Sequence, residues 1–171
     1  MALRPGRTTR TVKRPWTRVS RRKPKKSYVV GVPHSRIHIF EMGNKTKKFD
    51  TKLYLISKKN VQIRDNALES ARVVANKLLE REIGKENYFM KILLYPHQVL
   101  REHAMASGAG ADRYSMGMRK AFGKPKGKAA IANNNQRIIL LRINKKNLNV
   151  GKKALHRADT KIPTPCRIVV E

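Results

Sequence analysis

One long segment, residues 101–128, fits neither a regular helix nor a strand, and it limits what the rest of the chain can form. It reads REHAMASGAGADRYSMGMRKAFGKPKGK and has no sustained hydrophobic period. Its small residues, Ser107 to Ala111, have almost no side chain to bury. A structureless segment of this length inside a compact domain is uncommon and is usually functional or disordered. The fold is therefore expected to hold both ends of a long loop.

The chemistry of this segment indicates a partner. Small residues such as Gly108 and Gly110 let the backbone approach another surface closely. The segment is also strongly basic, and cations of this density are neutralised best by phosphates. The basic residues are Arg101, Arg113, Arg119, Lys120, Lys124, Lys126 and Lys128. The pattern predicts a loop inserted into folded RNA; a flexible surface loop with solvated charges is the alternative.

The charge of the whole chain favours the first interpretation. Its 171 residues include 40 Lys and Arg but only 11 Asp and Glu, which gives a formal net charge of +29. The pI of about 11.1 lies above the value of about 9 that marks nucleic-acid-binding domains. Such self-repulsion opposes compaction unless a polyanion is present. The length predicts one domain with an extension.

Composition also excludes several classes of protein. A single cysteine, Cys166, excludes a disulfide framework and fits a reducing cytosol. No apolar run approaches the roughly 18–20 residues of a membrane span, and no hydrophobic segment follows the basic N-terminus. We therefore expect a cytoplasmic protein with no membrane partner.

Residues 1–30 are predicted to form a basic RNA-binding arm. Three prolines interrupt the segment and like charges resist its collapse, so it is not expected to fold alone. Trp16 offers a flat face that can stack on a base. A disordered tail or a nuclear-import signal is the alternative. The predicted phosphate-binding residues are Arg4, Arg7, Arg10, Lys13, Arg14, Arg18, Arg21, Arg22, Lys23, Lys25 and Lys26.

Residues 31–171 are predicted to form a single α+β domain into which the loop 101–128 is inserted. Strands and helices are mixed without strict alternation, which favours this class over α/β. The strand at Tyr88–Tyr95 is almost continuously apolar and is expected near the centre of its sheet. The predicted strands are Arg36–Phe40, Lys52–Ser57, Val61–Ile63, Tyr88–Tyr95, Arg137–Ile143 and the terminal CRIVV.

Two helices are predicted. In the first, Asp65 is the expected N-cap and Gly84 the expected stop. Its apolar face consists of Ala67, Leu68, Ala71, Val74, Ala75, Leu78 and Leu79. The second helix is predicted at Asn144–Ala158 and is weakened by Gly151. Its inward residues are expected to be Leu148, Ala154, Leu155 and Ala158, and its outward ones Lys152, Lys153 and Arg157.

Catalytic and metal-binding patterns are weak. His103, Ser107 and Asp112 share one glycine-rich loop, so no rigid element fixes them as a triad. GAGADR lacks the Lys-Ser/Thr end of a phosphate-binding P-loop. His34 and His38 have no cysteine or carboxylate cluster beside them. We expect no enzyme activity, no cofactor and no metal site.

The segment GAGADRYSMGMRKAFGKPKG resembles the signature loop of the universal large-subunit ribosomal protein family called L-sixteen in bacteria and L-ten-e in archaea. The resemblance continues through GVPHSRIHIFEMGN, QIRDNALESARVVANK, YPHQVLREHAM and PTPCRIVVE, and covers nearly the whole chain. The length is similar to that of the archaeal form.

The resemblance implies a structural constituent of the large ribosomal subunit that binds rRNA beside the A-site tRNA. Its loop, near Met105 to Lys128, is expected to point toward the acceptor ends of A-site and P-site tRNA and to support tRNA positioning and subunit assembly. The implied fold is a two-layer α/β sandwich with a hammerhead-like mixed sheet and two main helices. Neighbouring large-subunit proteins are further implied partners of a chain that is monomeric within the ribosome. A free-standing basic nucleic-acid chaperone or architectural protein is the alternative.

Overall fold

The computed structural model describes Arg22 and residues 29–171. Of the predicted arm cations only Arg22 is among the described residues, and it is exposed; the other arm cations and Trp16 lie outside the described residues. The described part of the chain forms eight strands and two α-helices. In chain order these are β1 (Glu41–Gly43), β2 (Thr51–Ser57), β3 (Val61–Arg64), α1 (Asp65–Ile83), β4 (Tyr88–Ile92), β5 (Gln98–Glu102), β6 (Lys124–Ala132), β7 (Arg137–Ile143), α2 (Leu148–Asp159) and β8 (Cys166–Val170).

The strands form two sheets, and the predicted α+β class with two main helices is confirmed. One sheet has five strands in the order β1-β4-β7-β2-β8, and the other has three in the order β3-β6-β5. Every strand pair in the described part of the chain is antiparallel, so the prediction of a mixed sheet is wrong. The physical reason is that β2 lies between β7 and β8. Helix α2 connects those two strands, but each of them pairs only with an antiparallel neighbour.

The main core lies between the helices and one face of the five-stranded sheet. Leu53 and Leu55 on β2 and Leu141 on β7 are fully buried there, because alternate residues of a strand point to the same face. The buried residues of α1 are Asp65, Leu68, Ala71, Ala75, Leu78 and Leu79. Most of the predicted helix face is therefore confirmed, but Ala67 and Val74 are only half-buried.

The start of α1 differs from the prediction. Arg64, not Asp65, occupies the N-cap position, and it makes no side-chain capping bond. The Asp65 carboxylate instead accepts hydrogen bonds from the Arg36 backbone N–H at 2.9 Å and from the Asn66 N–H at 2.8 Å. The carboxylate thus fastens the segment before β1 to the helix. The predicted stop is confirmed, since Gly84 has φ of 76° and follows the last helical residue.

Several strand boundaries also differ. No strand forms at 36–40; β1 begins at Glu41, although the Phe40 carbonyl accepts a hydrogen bond from Ile92 N–H at 2.8 Å. Strand β4 ends at Ile92, three residues before the predicted Tyr95, and β7 rather than β4 is the central strand. The strands at Thr51–Ser57, Val61–Arg64, Arg137–Ile143 and Cys166–Val170 agree with the predictions to within one residue.

Gly151 in α2 has a packing role that composition did not indicate. The helix starts at Leu148, after a short 3-10 turn at Lys145–Asn147, and so begins four residues later than predicted. Gly151 is buried, and a Cβ atom there would lie 2.4 Å from the Cδ1 atom of Ile143 on β7. Its missing side chain lets α2 approach the sheet closely.

Candidate nucleic-acid interface

The predicted loop is shorter than its expected bounds of 101–128. Strands β5 and β6 pair up to Glu102 and Lys124, so the connecting loop comprises residues 103–123. Arg101 therefore lies on β5. The three lysines Lys124, Lys126 and Lys128 lie on β6, where an irregularity in the pairing with β5 at Lys126 interrupts the regular alternation of faces. The other predicted loop residues, Gly108, Gly110, Arg113, Arg119 and Lys120, do lie in the loop.

The base of the loop is held by packing against the core. Strand β6 is the central strand of the small sheet, with β3 on one side and β5 on the other. Its residues Ala129, Ala130 and Ala132 are fully buried. These side chains are small, so the sheet lies close to the residues that cover it. The loop thus leaves a strand pair that is firmly attached to the domain.

Arg101, which was predicted to face tRNA, holds the C-terminal end of the loop. Its guanidinium donates a hydrogen bond to the Gly123 carbonyl at 3.1 Å and lies 4.5 Å from the ring centroid of Phe122. Gly123 has φ of +83°, and a Cβ atom there would lie 2.6 Å from the carbonyl carbon of Glu102. Only glycine fits this position without displacing the backbone of β5.

The interior of the loop has hydrogen bonds of its own. A short 3-10 turn at Ala111–Arg113 follows Gly110, whose φ of 73° is in the left-handed region. The Ser115 hydroxyl accepts a hydrogen bond from the Ala106 N–H at 3.1 Å. The Nε2–H of His103 donates to the Gly117 carbonyl at 2.6 Å. His103 therefore has a structural partner within the loop.

The outer surface of the loop is both basic and apolar. Arg113, Arg119 and Lys120 are exposed, and none of the ion pairs found among the described residues involves them. Large apolar side chains are exposed beside them: Tyr114 is 87% exposed, Met116 70%, Met118 68% and Phe122 67%. Cations interleaved with aromatic and thioether groups can bind phosphates and stack on bases.

The sequence prediction missed these apolar residues. It considered the small residues and cations of the loop, whereas the aromatic and methionine side chains were present in the same segment, RYSMGMRKAF. A basic stretch with interleaved aromatic residues is a recognisable signal for nucleic-acid binding. Their exposure was not predictable, because apolar residues in a sequence are usually found in a core.

The thiol of Cys166, the one cysteine of the sequence, is held in its protonated form. Burial, reinforced by the nearby Asp159 carboxylate, raises the pKa of the Cys166 thiol to about 12. The thiolate, which is the nucleophilic form, is thus disfavoured at neutral pH. Among Arg22 and residues 29–171, no group of three or more His, Cys, Asp or Glu side chains is arranged to hold a metal ion.

None of the helices in the described residues has the length and apolar character needed to span a membrane.

Comparison with known proteins agrees with this picture. A family model described as ribosomal protein L16p/L10e matches residues 16–169. The large ribosomal subunit protein uL16 of Archaeoglobus fulgidus is 48% identical over 171 residues, which cover 100% of this chain and 94% of that protein. The protein of the same name from Methanococcus maripaludis strain C7 is 45% identical over 170 residues, covering 99% and 95% respectively. That of Picrophilus torridus is 48% identical over 146 residues, covering 85% and 83%. The chain therefore belongs to the ribosomal protein L16p/L10e family.

Proposed function

We propose that this chain binds large-subunit rRNA and extends the loop 103–123 toward A-site and P-site tRNA near the peptidyl-transferase centre. In this role it supports tRNA positioning and subunit assembly. Family membership makes the chain a structural constituent of the large ribosomal subunit, in the cytoplasm, and not an enzyme. The observation that carries the finer proposal is the loop itself, whose exposed cations and apolar side chains extend from a firmly packed strand pair.

The loop combines two kinds of contact with RNA. Arg113, Arg119 and Lys120 neutralise phosphates, which gives affinity that depends on salt. Tyr114 and Phe122 stack on bases or pack against sugars, which gives affinity that depends little on salt. Gly108 and Gly110 have open space around the position of a Cβ atom, so the backbone can approach a surface closely on that side.

Residues on either side of the loop extend the interface. Lys124, Lys126 and Lys128 extend the positive charge of the loop along β6 toward the domain. The arm at residues 1–30 adds eleven cations, with Trp16 as a stacking residue. The proposal includes neighbouring large-subunit proteins as further partners of a chain that is monomeric in the ribosome.

The test uses large subunits reconstituted without this protein and then supplied with variants. The loop variant is Arg113→Ala with Arg119→Ala, and the control is Lys77→Ala with Arg81→Ala on α1. The loop variant is expected to co-sediment with subunits and to melt at the same temperature as the parent protein, because its altered side chains are exposed. It is expected to slow A-site tRNA binding and peptide synthesis, whereas the control leaves both unchanged.

Two results contradict the proposal in different ways. If the parent protein fails to co-sediment with large subunits in moderate salt, a free-standing nucleic-acid chaperone becomes the better description. If the parent assembles and the loop variant supports tRNA binding at the parent rate, the loop is a passive tether and its assignment to tRNA is wrong.

A further inference from the structure

The outward face of helix α2 is purely basic and polar. Residues three and four apart lie on one side of a helix, and six such residues are all exposed: Asn149, Lys152, Lys153, His156, Arg157 and Thr160. The opposite side carries the buried residues Gly151, Ala154, Leu155 and Ala158. The outward positions predicted for Lys152, Lys153 and Arg157 are thus confirmed. The six exposed residues are called the α2 face below.

The charges of the α2 face do not serve the stability of the helix. The first turn has no acid, and Lys145 and Lys146 precede it at the end where the helix dipole disfavours cations. The N-cap residue Asn147 makes no side-chain capping bond. Lys153 and Arg157 are four residues apart, a spacing at which like charges repel. Only in the last turn, at His156 and Arg157, do basic residues lie where the dipole favours them.

Helix α1, which packs against α2, has its charged residues where they stabilise the helix. It has Asp65 in its first turn and Arg81 in its last turn, as the dipole favours. Glu69 and Arg72 form an ion pair, as do Glu82 and Arg81. Its other charged residues, Lys77 and Glu80, are exposed and opposite in sign, so the outward side of α1 has no net charge. Although the chain has a net charge of +29, the exposed surface of α1 is neutral, whereas that of α2 is basic.

The basic surface continues beyond the end of α2. Lys161 is exposed, and the following prolines line an open cleft together with Lys58 and Lys59. The Lys58 N–H donates to the Pro165 carbonyl at 3.1 Å, which fixes the turn between β2 and β3 against the segment after α2. The residues that follow α2 in the chain thus line a cleft that carries two further lysines.

We propose that the α2 face, with Lys58 and Lys59, docks on the sugar–phosphate backbone of folded RNA at a site separate from the loop. The inference rests on the proposed function, because it assigns a second contact with the same rRNA. The helix is about 18 Å long, and a duplex carries one phosphate charge per about 1.7 Å of its axis, so several phosphates face the helix at once. An acidic protein is a poorer match, because no large exposed apolar residue of the described chain lies on α2 and protein interfaces have apolar centres.

The experiment compares two matched pairs in the full-length chain. Lys153→Gln with Arg157→Gln alters the α2 face, and Lys77→Gln with Arg81→Gln alters α1 with the same residue types at the same spacing. Binding to protein-free large-subunit rRNA is measured at several salt concentrations. The α2 pair is expected to lower the log–log salt slope by about 1.4–1.8, at 0.7–0.9 for each phosphate contact. The α1 pair is expected to leave the slope unchanged.

Additional variants separate the possible failures. The α2 pair should melt close to the parent temperature, because relief of the repulsion between Lys153 and Arg157 offsets loss of the favourable position of Arg157 in the last turn. Lys153→Arg with Arg157→Lys should retain the parent slope. An unchanged slope for the α2 pair, while Arg113→Gln with Arg119→Gln still lowers it, overturns the second site but leaves the proposed function intact. A parent protein without salt-dependent rRNA binding overturns the proposed function itself. If the α2 pair binds rRNA normally but assembles into subunits that lack a neighbouring protein, the face binds protein and the RNA assignment is wrong.

Discussion

Helix α1 and the loop 103–123 differ in the burial of their large apolar residues and in the balance of their charges. In α1 the leucines are buried and the exposed charges are balanced, with Glu69 raising the pKa of Arg72. In the loop the large apolar residues are exposed, and Asp112 is the one acid among several cations. Since the rest of the domain is well packed, this exposure is not a general failure of the sequence to bury its apolar groups. This contrast is what the proposed contact between the loop and RNA predicts, since such a contact would cover the exposed apolar residues of the loop.

The largest expected effect comes from cavities under α1. Leu68 is 1% exposed and Leu78 3%, so truncating either to Ala should cost about 2–5 kcal/mol of folding free energy. Val74→Ala should cost less, because Val74 is only half-buried. Chemical denaturation of the free protein measures all three. If Arg113→Ala in the loop destabilises the protein as much as Leu68→Ala does, the loop is part of the folded core and the comparison fails.

A smaller effect is expected from two glycines that share a positive φ. At Gly123 a Cβ atom would lie 2.6 Å from the backbone of Glu102, whereas no atom lies within 4 Å of one at Gly110. Gly123→Ala should therefore destabilise the protein by about 1–3 kcal/mol, through strain and displacement of β5. Gly110→Ala adds only the strain of an alanine at positive φ, without a steric clash, and should lower the melting temperature less than Gly123→Ala does. Equal melting temperatures for the two variants would show that the base of the loop is as tolerant as its interior.

The buried phenol beneath α1 gives a pH-dependent prediction. The Tyr88 hydroxyl donates to the Asn76 side chain at 2.6 Å, and burial, followed by the Glu80 carboxylate, raises the pKa of Tyr88 to about 12. Since an unfolded tyrosine has a pKa of about 10, the folded state binds more protons between these values. Its contribution to stability is full below about pH 10 and is lost as the pH rises toward 12. Denaturation midpoints of the parent and Tyr88→Phe between pH 9 and 12 measure this loss, which should be absent in the variant.

The sequence predicted those elements whose apolar residues form a clear period or a short continuous run. Helix α1 has apolar residues three and four apart, whereas β7 and β8 are short apolar runs. Gly84 was identifiable as a helix stop because many helices end at a residue with positive φ, which glycine adopts without strain. In these regions the local preference and the tertiary environment agree.

Elements set mainly by tertiary contacts were not predictable. The start of β6 reads KPKGK, a composition that disfavours strands, and its pairing depends on the buried alanines that follow. The packing role of Gly151 depends on the position of Ile143, which is close in space only after folding. The loop was predicted to be an RNA interface from its small and basic residues, and that stays a prediction; the exposure of its aromatic groups is seen only in the folded structure, where the core forms without them.

The smallest effect on stability is expected for Tyr114. This side chain is 87% exposed, so Tyr114→Ala should change the folding free energy by less than about 0.5 kcal/mol. On subunits depleted of this protein it should weaken binding by about 1–3 kcal/mol if the ring stacks on a base. Because the ring is uncharged, that loss should be the same at every salt concentration. Arg119→Ala should instead reduce the salt slope by about 0.7–0.9.

Affinity for the depleted subunits, measured at three salt concentrations, separates these two contributions. Tyr114→Phe keeps the aromatic face and should bind like the parent, which distinguishes stacking from a hydrogen bond made by the hydroxyl. If Tyr114→Ala binds as tightly as the parent at all three concentrations, the exposed ring is only solvated. The contrast with α1 would then rest on the loop cations alone, and the apolar residues of the loop would need another explanation.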